Sequence, residues 1–494
     1  MPIPTPTPSA DQMAAQIARL TEQVASVQTH ANIVWTLLTG FLVMFMQCGF
    51  ALVETGLTRA KNAAHTMAMN FLVYSIGVLG FWAVGFGLQM GGVGALASFG
   101  GDSTLSREFV IRLGGHDFGL FGMSGFFLGP ASYTTGVATL FLFQMVFMDT
   151  AATIPTGAMA ERWRFAAFVA FSFVIATFIY PIYANWVWGG GWLSQLGPSF
   201  GLGHGHVDFA GSSVVHMVGG VSAFVGAKIL GPRAGKYAPD GTPRPIPGHN
   251  MTLVVTGTFV LAFGWFGFNP GSTLSGNDPR IAIIAVNTML ASAAGAFGAY
   301  LYTKVAFGRP DLSMLCNGML AGLVAITAPC AFVGSLTSIF IGAIAGVLVV
   351  VSSIFIETRL RVDDPVGASS VHGVCGMWGI LALGLFANGT YGEGMNGVAG
   401  PVRGLFFGDA GQLAAECIGI LTNIVWVGAT AALTMKAVDA LFGNRVAHED
   451  ERLGLDIPEM GLSGYSDEQG DSTGARPPVI GRPTKLGSVP APGR

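Results

Sequence analysis

Long apolar segments, each bounded by polar or charged clusters, recur along the whole chain. A run of about 20 apolar residues spans the ~30 Å hydrocarbon layer of a bilayer, so each segment predicts a membrane-spanning helix. Eleven such segments predict an all-α polytopic membrane protein. They cover residues 32–57, 66–90, 131–159, 164–186, 211–230, 251–273, 281–305, 313–330, 335–356, 370–388 and 411–442.

A different apolar pattern precedes the first span. Met13, Ile17, Leu20, Val24 and Val27 are spaced 4, 3, 4 and 3 residues apart, which is an a/d seam of about two heptads. The pattern predicts an amphipathic helix lying on the membrane or the protein surface, and a short extracellular self-association helix is the alternative. No basic stretch followed by an apolar core occurs in this region, so no cleaved signal peptide is expected.

Basic residues in the connecting loops predict the orientation. One set of alternate loops carries twelve Lys and Arg and the other set carries four, and cytoplasmic loops carry the excess. An odd number of spans then puts the N-terminus outside and the C-terminus inside a cell membrane. We expect an extracytoplasmic segment at 1–30, an eleven-helix domain at 31–443, and a cytoplasmic, partly disordered tail at 444–494.

Composition narrows the function classes. Hydrophobic residues make up 51% of the chain and charged residues 10%, against about 25% charged in an average soluble domain. This argues against a soluble enzyme, and neither end resembles an enzymatic domain. The net charge of −3 suggests no nucleic-acid partner. The five cysteines lie in or near apolar segments without C-x-x-C spacing, so we expect packing roles and neither metal nor cofactor.

A short internal repeat places two histidines at membrane depth. Asp208–His216 and Asp364–His372 both read D-x-x-G-x-S-x-V-H, and the match continues with a valine two residues and a glycine four residues further on. The copies open the fifth and tenth predicted helices, so the repeat unit is five helices. An odd unit reverses direction on repetition, which predicts two inverted halves with a site near the midplane.

Each repeated polar residue has more than one interpretation. A single intramembrane histidine is most often a core residue bonded to a carbonyl, but a symmetric pair favours a path for a small polar molecule or a proton. Bis-histidine haem ligation is a further alternative, disfavoured because the other histidines lie in loops or at helix ends. Asp208 starts a helix, so it is either a cap or a group that orients a cation.

Several runs together resemble the ammonium transporter (Amt/Mep/Rh) family, closest to its bacterial Amt branch. They are MQCGFALVETGLTRAKN at 46–62, GAMAER at 157–162, WGGG at 188–191, the Asp208–His216 repeat, GWFGFNPGS at 264–272, and DDPVG with HGVCG at 363–376. The resemblance covers residues 32–460. It implies an eleven-helix protomer with two inverted five-helix repeats plus a last helix, assembled as a homotrimer with one pore per subunit.

The resemblance also implies roles for individual residues. In the family an aromatic cage with a hydroxyl recruits the substrate, and the matching positions here are Phe147, Trp188 and Ser272. The positions that match the family's phenyl gate are Phe147 and Phe268. The twin pore histidines fall on His216 and His372, and the aspartate near the recruitment site falls on Asp208. The implied function is ammonium uptake, with methylammonium as an analogue: the cation loses its proton and ammonia passes through a hydrophobic pore. A membrane ammonium sensor and an Rh-like neutral gas channel are the alternatives.

Three departures from the family pattern stand out. The loop 200–206 is longer than expected and carries His204 and His206, which suit a surface metal or, more simply, a flexible loop. Asp149 lies inside a predicted helix, where it either pairs within the bundle or lines the pore. The tail 449–461 resembles the family's regulatory C-terminal motif except at Met460 and Leu462, so regulation by a PII-type protein is a weaker expectation than transport.

Overall fold

The computed structural model describes residues 9–465, and helices dominate them. Within these residues, ten helices are long and apolar enough to cross a membrane, and Leu312–Thr327 is a shorter apolar helix. The predicted all-α polytopic fold is therefore confirmed, with span ends close to the predicted ones except at the start of α1. The helices are α1 Ala10–Leu57, α2 Ala60–Met90, α3 Thr135–Met159, α4 Phe165–Trp188, α5 Ser212–Leu230, α6 Met251–Thr273, α7 Arg280–Phe307, α8 Leu312–Thr327, α9 Ser335–Leu360, α10 Ser369–Phe386 and α11 Ala410–Phe442.

One end of the bundle, here called the hairpin end, carries a small antiparallel sheet. Strand β1 is Glu108–Leu113 and strand β2 is His116–Gly122. Gly114 and Gly115 form the turn with φ of 60° and 86°, which glycine adopts without strain. No strand was predicted between α2 and α3, so the hairpin is an addition to the predicted all-α fold.

The opposite end, here called the basic end, gathers the loops that are rich in Lys and Arg. Arg59 pairs with Glu161, and Arg233 bonds to Asp363 at 2.9 Å and to Glu161 at 3.2 Å. These side chains come from four different interhelical loops. The sorting of basic residues into alternate loops therefore corresponds to one physical end of the bundle.

The C-terminal segment beyond α11 packs against the basic end. It contains a short helix, α12, at His448–Leu453. Glu451 accepts a bond from the Ala234 N–H at 2.6 Å, and Asp456 accepts one from the His65 N–H at 2.9 Å. Residues 466–494, the rest of the predicted tail, lie outside the described residues.

The two copies of the sequence repeat have the same local structure. Gly211 and Gly367 both have positive φ, 116° and 78°, and each is followed by a π-helical turn that contains the histidine. A second pair of repeated glycines, Gly220 and Gly376, lies where α5 crosses α10. A Cβ on Gly220 would stand 2.1 Å from the backbone nitrogen of Gly373, and one on Gly376 would stand 2.7 Å from the carbonyl oxygen of Ser212. Glycine at these two positions lets the halves approach closely.

Candidate functional site

The two repeated histidines meet at the crossing of α5 and α10. Their Nδ1 atoms lie 3.2 Å apart, and the rings are nearly parallel, 28° between planes and 5.3 Å between centroids. Both are buried, at 0% exposure for His216 and 6% for His372. The sequence repeat therefore predicted a contact between residues 156 positions apart.

This contact dictates how protons are arranged on the pair. A neutral imidazole has one N–H and one bare nitrogen, so an Nδ1 to Nδ1 hydrogen bond needs one ring of each tautomer. One ring then presents a bare Nε2 and the other an Nε2–H. The pair is consequently polarised along its length, and moving the shared proton reverses that polarity.

Two stacked phenyl rings lie next to His216 on the hairpin side. Phe147 and Phe268 have centroids 4.1 Å apart and planes at 28°, and both are buried. His216 stacks on Phe268 and on Trp265 at 5.4 Å and 5.1 Å. The rings separate the histidines from the hairpin end.

Beyond the phenyl pair lies a vestibule of about 290 Å³ on the hairpin side. Its lining includes Phe147, Trp188 and Ser272, the three residues expected to recruit a cation, together with Phe143 and Gln144. Trp188 meets Phe147 edge to face at 5.9 Å. The structure therefore brings these residues together in one cavity.

Hydrogen bonds fix two walls of this vestibule. The Trp188 indole N–H donates to the carbonyl oxygen of Asp208 at 2.7 Å. The Ser272 hydroxyl donates to the carbonyl oxygen of Phe268 at 2.8 Å. Because the single hydroxyl proton is used, the Ser272 oxygen can only accept a further bond. It is therefore suited to an N–H donor.

The Asp208 carboxylate caps the start of α5. Oδ1 accepts the N–H groups of Gly211 and Ser212, and Oδ2 accepts those of Ser213 and Val214 together with the Ser213 hydroxyl, all between 2.7 and 2.9 Å. These bonds match the cap interpretation, since a carboxylate at a helix start also interacts favourably with the helix dipole. Asp208 thus holds the turn that carries His216.

A buried network continues from this cap to α11. His206 Nε2 lies 2.9 Å from the Ser213 hydroxyl, and His206 Nδ1 lies 2.5 Å from Oε2 of Glu416. Since the Ser213 proton goes to Asp208, the hydroxyl accepts from His206 Nε2–H. The expectation of a flexible or metal-binding surface loop is wrong for His206, because burial and this ion pair fix the ring. His204 is also buried, and its ring bonds to the Gly400 carbonyl.

Two other carboxyl groups are buried in the bundle. Glu54, to which the sequence analysis gave no role, lines a small cavity beside His372 and accepts bonds from Asn70 and Thr156 at 2.7 Å. Asp149 is 2% exposed, and within residues 9–465 its Oδ1 has no hydrogen-bond partner. The ionisable residue types inside apolar spans were the available signal for Glu54 and for Glu416.

Comparison with known proteins gives the family. The model of the Ammonium Transporter Family matches residues 34–465. The chain belongs to this family. Ammonium transporter Amt2 of Archaeoglobus fulgidus is 45% identical over 88% of this chain and 88% of its own. Ammonium transporter 1 member 3 of Solanum lycopersicum is 34% identical over 91% and 96%.

Solved structures of ammonium transporter family proteins share the fold. A structure described as a sensor Amt protein has a TM-score of 0.76 at 34% identity and covers 88% of this chain and 99% of its own. Saccharomyces cerevisiae Mep2 has a TM-score of 0.73 at 26% identity, covering 89% and 92%. The resemblance inferred from the sequence motifs is thereby confirmed, as is a multi-span membrane protein.

Proposed function

We propose that this ammonium transporter family member carries ammonium across the cell membrane, from the hairpin end outside to the basic end in the cytoplasm. One observation carries the proposal: the vestibule, the phenyl pair and the histidine pair follow one another in a line. The excess of basic residues at one end supports the orientation, with the N-terminus outside and the C-terminus inside. Family membership supports ammonium as the substrate.

The vestibule has the chemistry to bind an ammonium ion. Aromatic faces of Trp188 and Phe147 attract a cation with about 0.5–2 kcal/mol, more when water is excluded. Ser272 adds an oxygen that can only accept a hydrogen bond, which an ammonium N–H satisfies. A sodium ion has no N–H to offer and loses more hydration energy in such a cage. The same reasoning admits methylammonium, which keeps three N–H donors.

The path beyond the vestibule disfavours the cation. Phe147 and Phe268 are buried and apolar, and moving an unpaired charge past them is costly. We therefore infer that ammonium gives its proton at the gate to the bare Nε2 of the histidine pair, and that ammonia passes along His216 and His372. The bare and protonated nitrogens of that pair can accept from and donate to ammonia. The proton travels separately along the polarised pair, so uptake is electrogenic.

Replacing both histidines tests this mechanism. His216→Leu combined with His372→Leu should abolish the current that an ammonium jump evokes in proteoliposomes on a solid-supported membrane. The exposed His30→Leu serves as the matched control and should keep the wild-type current. An undiminished current in the double variant would remove the histidines from the mechanism. Ammonia flux without current in the wild type would instead identify a neutral gas channel.

A second candidate function is ammonium sensing without turnover, which the match to a sensor Amt protein at 34% identity favours. The wild-type current decides between the two. A sensor would bind ammonium, which would be detected as quenching of the Trp188 fluorescence, and would give no sustained current. A transporter gives both signals.

We further propose a homotrimer in the bilayer, as the resemblance implies, and a regulatory contact at the basic end. The segment around α12 bonds to loops between other helices, so a cytoplasmic PII-type protein that displaced it would change those loops. The mass of the purified protein in nanodiscs tests the trimer. Co-purification with a PII-type protein tests the partner, and its absence would leave α12 as a structural clamp.

A further inference from the structure

Helix α1 is much longer than a membrane span. It runs unbroken from Ala10 to Leu57, 48 residues, or about 72 Å at ~1.5 Å per residue, against ~30 Å of hydrocarbon. Asn32 marks the level of the hairpin end, because its amide donates to the Ser98 carbonyl and its oxygen accepts from Ser275. The residues before Asn32 therefore extend beyond the bundle.

This projecting segment, residues 10–31, has a defined start and an apolar stripe that touches nothing else in the described chain. Ser9 and Gln12 form a capping box, which fixes where the helix begins. The seam residues predicted from sequence are all exposed, from 46% at Met13 to 68% at Val27. Because the segment continues α1 in one helix, it leaves the membrane instead of lying in its plane.

The stripe continues without a change of spacing into the membrane-spanning part of α1. After Ala31, the residues Val34, Leu38, Phe41 and Phe45 follow at intervals of 3, 4, 3 and 4, and these four are 48–64% exposed. A strict seven-residue repeat drifts about 20° per heptad on a straight helix, so it is fully buried only by a partner helix that supercoils with it. A flat membrane surface does not need that spacing.

The residues flanking the seam suit a partner of the same sequence. In the projecting segment they are neutral, as a coiled coil of identical chains requires if like charges are not to face each other. The charged residues Asp11, Arg19 and Glu22 lie on the opposite face. The neutral flanking positions are Ala14, Gln16, Thr21, Gln23, Gln28 and His30.

We propose that the projecting segment packs its seam against the same segment of another copy of this chain, as a parallel coiled coil at the hairpin end. All copies enter the bilayer in the same direction, so their α1 helices are parallel. Two heptads are marginal in solution, but the membrane spans hold the copies at high effective concentration. The assembly is thereby stabilised from outside the membrane, whatever the substrate is.

Cysteine cross-linking tests the seam directly. The exposed Cys48 lies on the same stripe, so Cys48→Ser is the background. Leu20→Cys places a thiol in the seam, and Glu22→Cys places one on the opposite face as the matched control. In nanodiscs with a mild oxidant, Leu20→Cys should give a reducible covalent dimer at least tenfold more than Glu22→Cys. Equal cross-linking at both positions, or none at Leu20→Cys, would overturn the proposal.

A second measurement separates this inference from the proposed transport function. Ile17→Asn, Leu20→Asn and Val24→Asn together should lower the temperature at which the oligomer dissociates in detergent, by several degrees. Ammonium-induced current per chain should stay unchanged. The same number of changes on the opposite face, Ala15→Asn, Ala18→Asn and Ser26→Asn, is the control. An unchanged dissociation temperature in the seam variant would contradict the coiled coil.

Discussion

The two copies of the repeat present the same motif in opposite surroundings. In the first copy the Asp208 carboxylate is 4% exposed and accepts five bonds. In the second copy Asp364 is only partly buried, accepts the N–H groups of Val366, Gly367 and Ser369, and lines a cavity of about 690 Å³ at the basic end. The repeat fixes the cap and the histidine, while residues outside it set the access of water.

The support behind each cap also differs. Behind Asp208 stands the buried pair of His206 and Glu416, which ties α5 to the last helix. Beside Asp364 stands Asp363, paired with Arg233 at the loop-rich basic end. The first copy is thus sealed from water by a network that has no counterpart in the second copy. The second copy opens toward water. This asymmetry supports the proposed direction of transport, in which the sealed half faces the entrance and the open half faces the exit.

Removing each cap gives the largest expected difference. Asp208→Ala leaves four backbone N–H groups and the Ser213 hydroxyl buried without their acceptor, and each such loss costs about 1–3 kcal/mol. We expect a loss of at least about 3–5 kcal/mol and little folded protein. Asp364→Ala removes a partly exposed cap and should cost about 0.5–2 kcal/mol. The yield of folded protein for both variants, and thermal unfolding of purified Asp364→Ala against the wild type, measure this.

Asp208→Asn is the control for folding, because an amide oxygen keeps part of the cap. If Asp364→Ala destabilised the protein as much as Asp208→Ala, the two caps would be equivalent and the sealed and open halves would not differ in energy.

The stability of the protein should fall at both high and low pH. The loss at high pH, the alkaline limb, arises beside the first copy of the repeat, and the loss at low pH, the acid limb, arises beside the second copy. Burial opposes the His206 imidazolium, but the Glu416 carboxylate outweighs it and raises the pKa of His206. A group whose pKa is raised by folding contributes its full stabilisation below a pH of ~6.5. That contribution is lost as the pH rises through the pKa of the folded state. Burial likewise opposes ionisation of Asp363, but Arg233 holds the pKa of that carboxyl well below its usual range. That contribution is complete above ~3.9 and is lost as pH falls.

Variants should remove the limbs separately. His206→Gln with Glu416→Gln keeps hydrogen-bonding groups and should flatten the alkaline limb of melting temperature against pH. Asp363→Asn leaves Arg233 paired with Glu161 and should flatten only the acid limb. A double glutamine variant with an unchanged alkaline limb would show that His206 does not titrate with folding.

How much of the fold and of the candidate site the sequence could predict depends on how far apart along the chain the interacting residues lie. Apolar runs are local, so the spans were predicted to within a few residues, and the repeat predicted the histidine contact by symmetry. The bond between His206 and Glu416 joins residues far apart outside the repeat, so no pattern revealed it. The β-hairpin was missed because glycine and aromatic residues in a loop gave no clear alternation. The continuation of α1 was missed because spans were bounded by hydropathy alone.

The smallest expected effect separates two buried carboxyl groups that both belong to the first half. Glu54→Gln and Asp149→Asn are the same chemical change at sites exposed by 3% and 2%. Glu54 lines the cavity beside His372, on the basic-end side of the pair, where under the proposed mechanism a carboxyl group would help ammonia to regain its proton. Asp149 is not among the residues lining the vestibule or that cavity. Glu54→Gln should therefore lower the ammonium-induced current severalfold, and Asp149→Asn should leave it unchanged.

Asp149→Asn should also raise the melting temperature slightly, because an amide is less costly to bury than an unpaired carboxylate. A current lost in Asp149→Asn would place that residue on the conduction path and contradict the route drawn through the two histidines. A current kept in Glu54→Gln would mean, under the proposed mechanism, that water in the cavity at the basic end is sufficient to reprotonate ammonia. The open half would then need no carboxyl group of its own, which would sharpen its contrast with the sealed half.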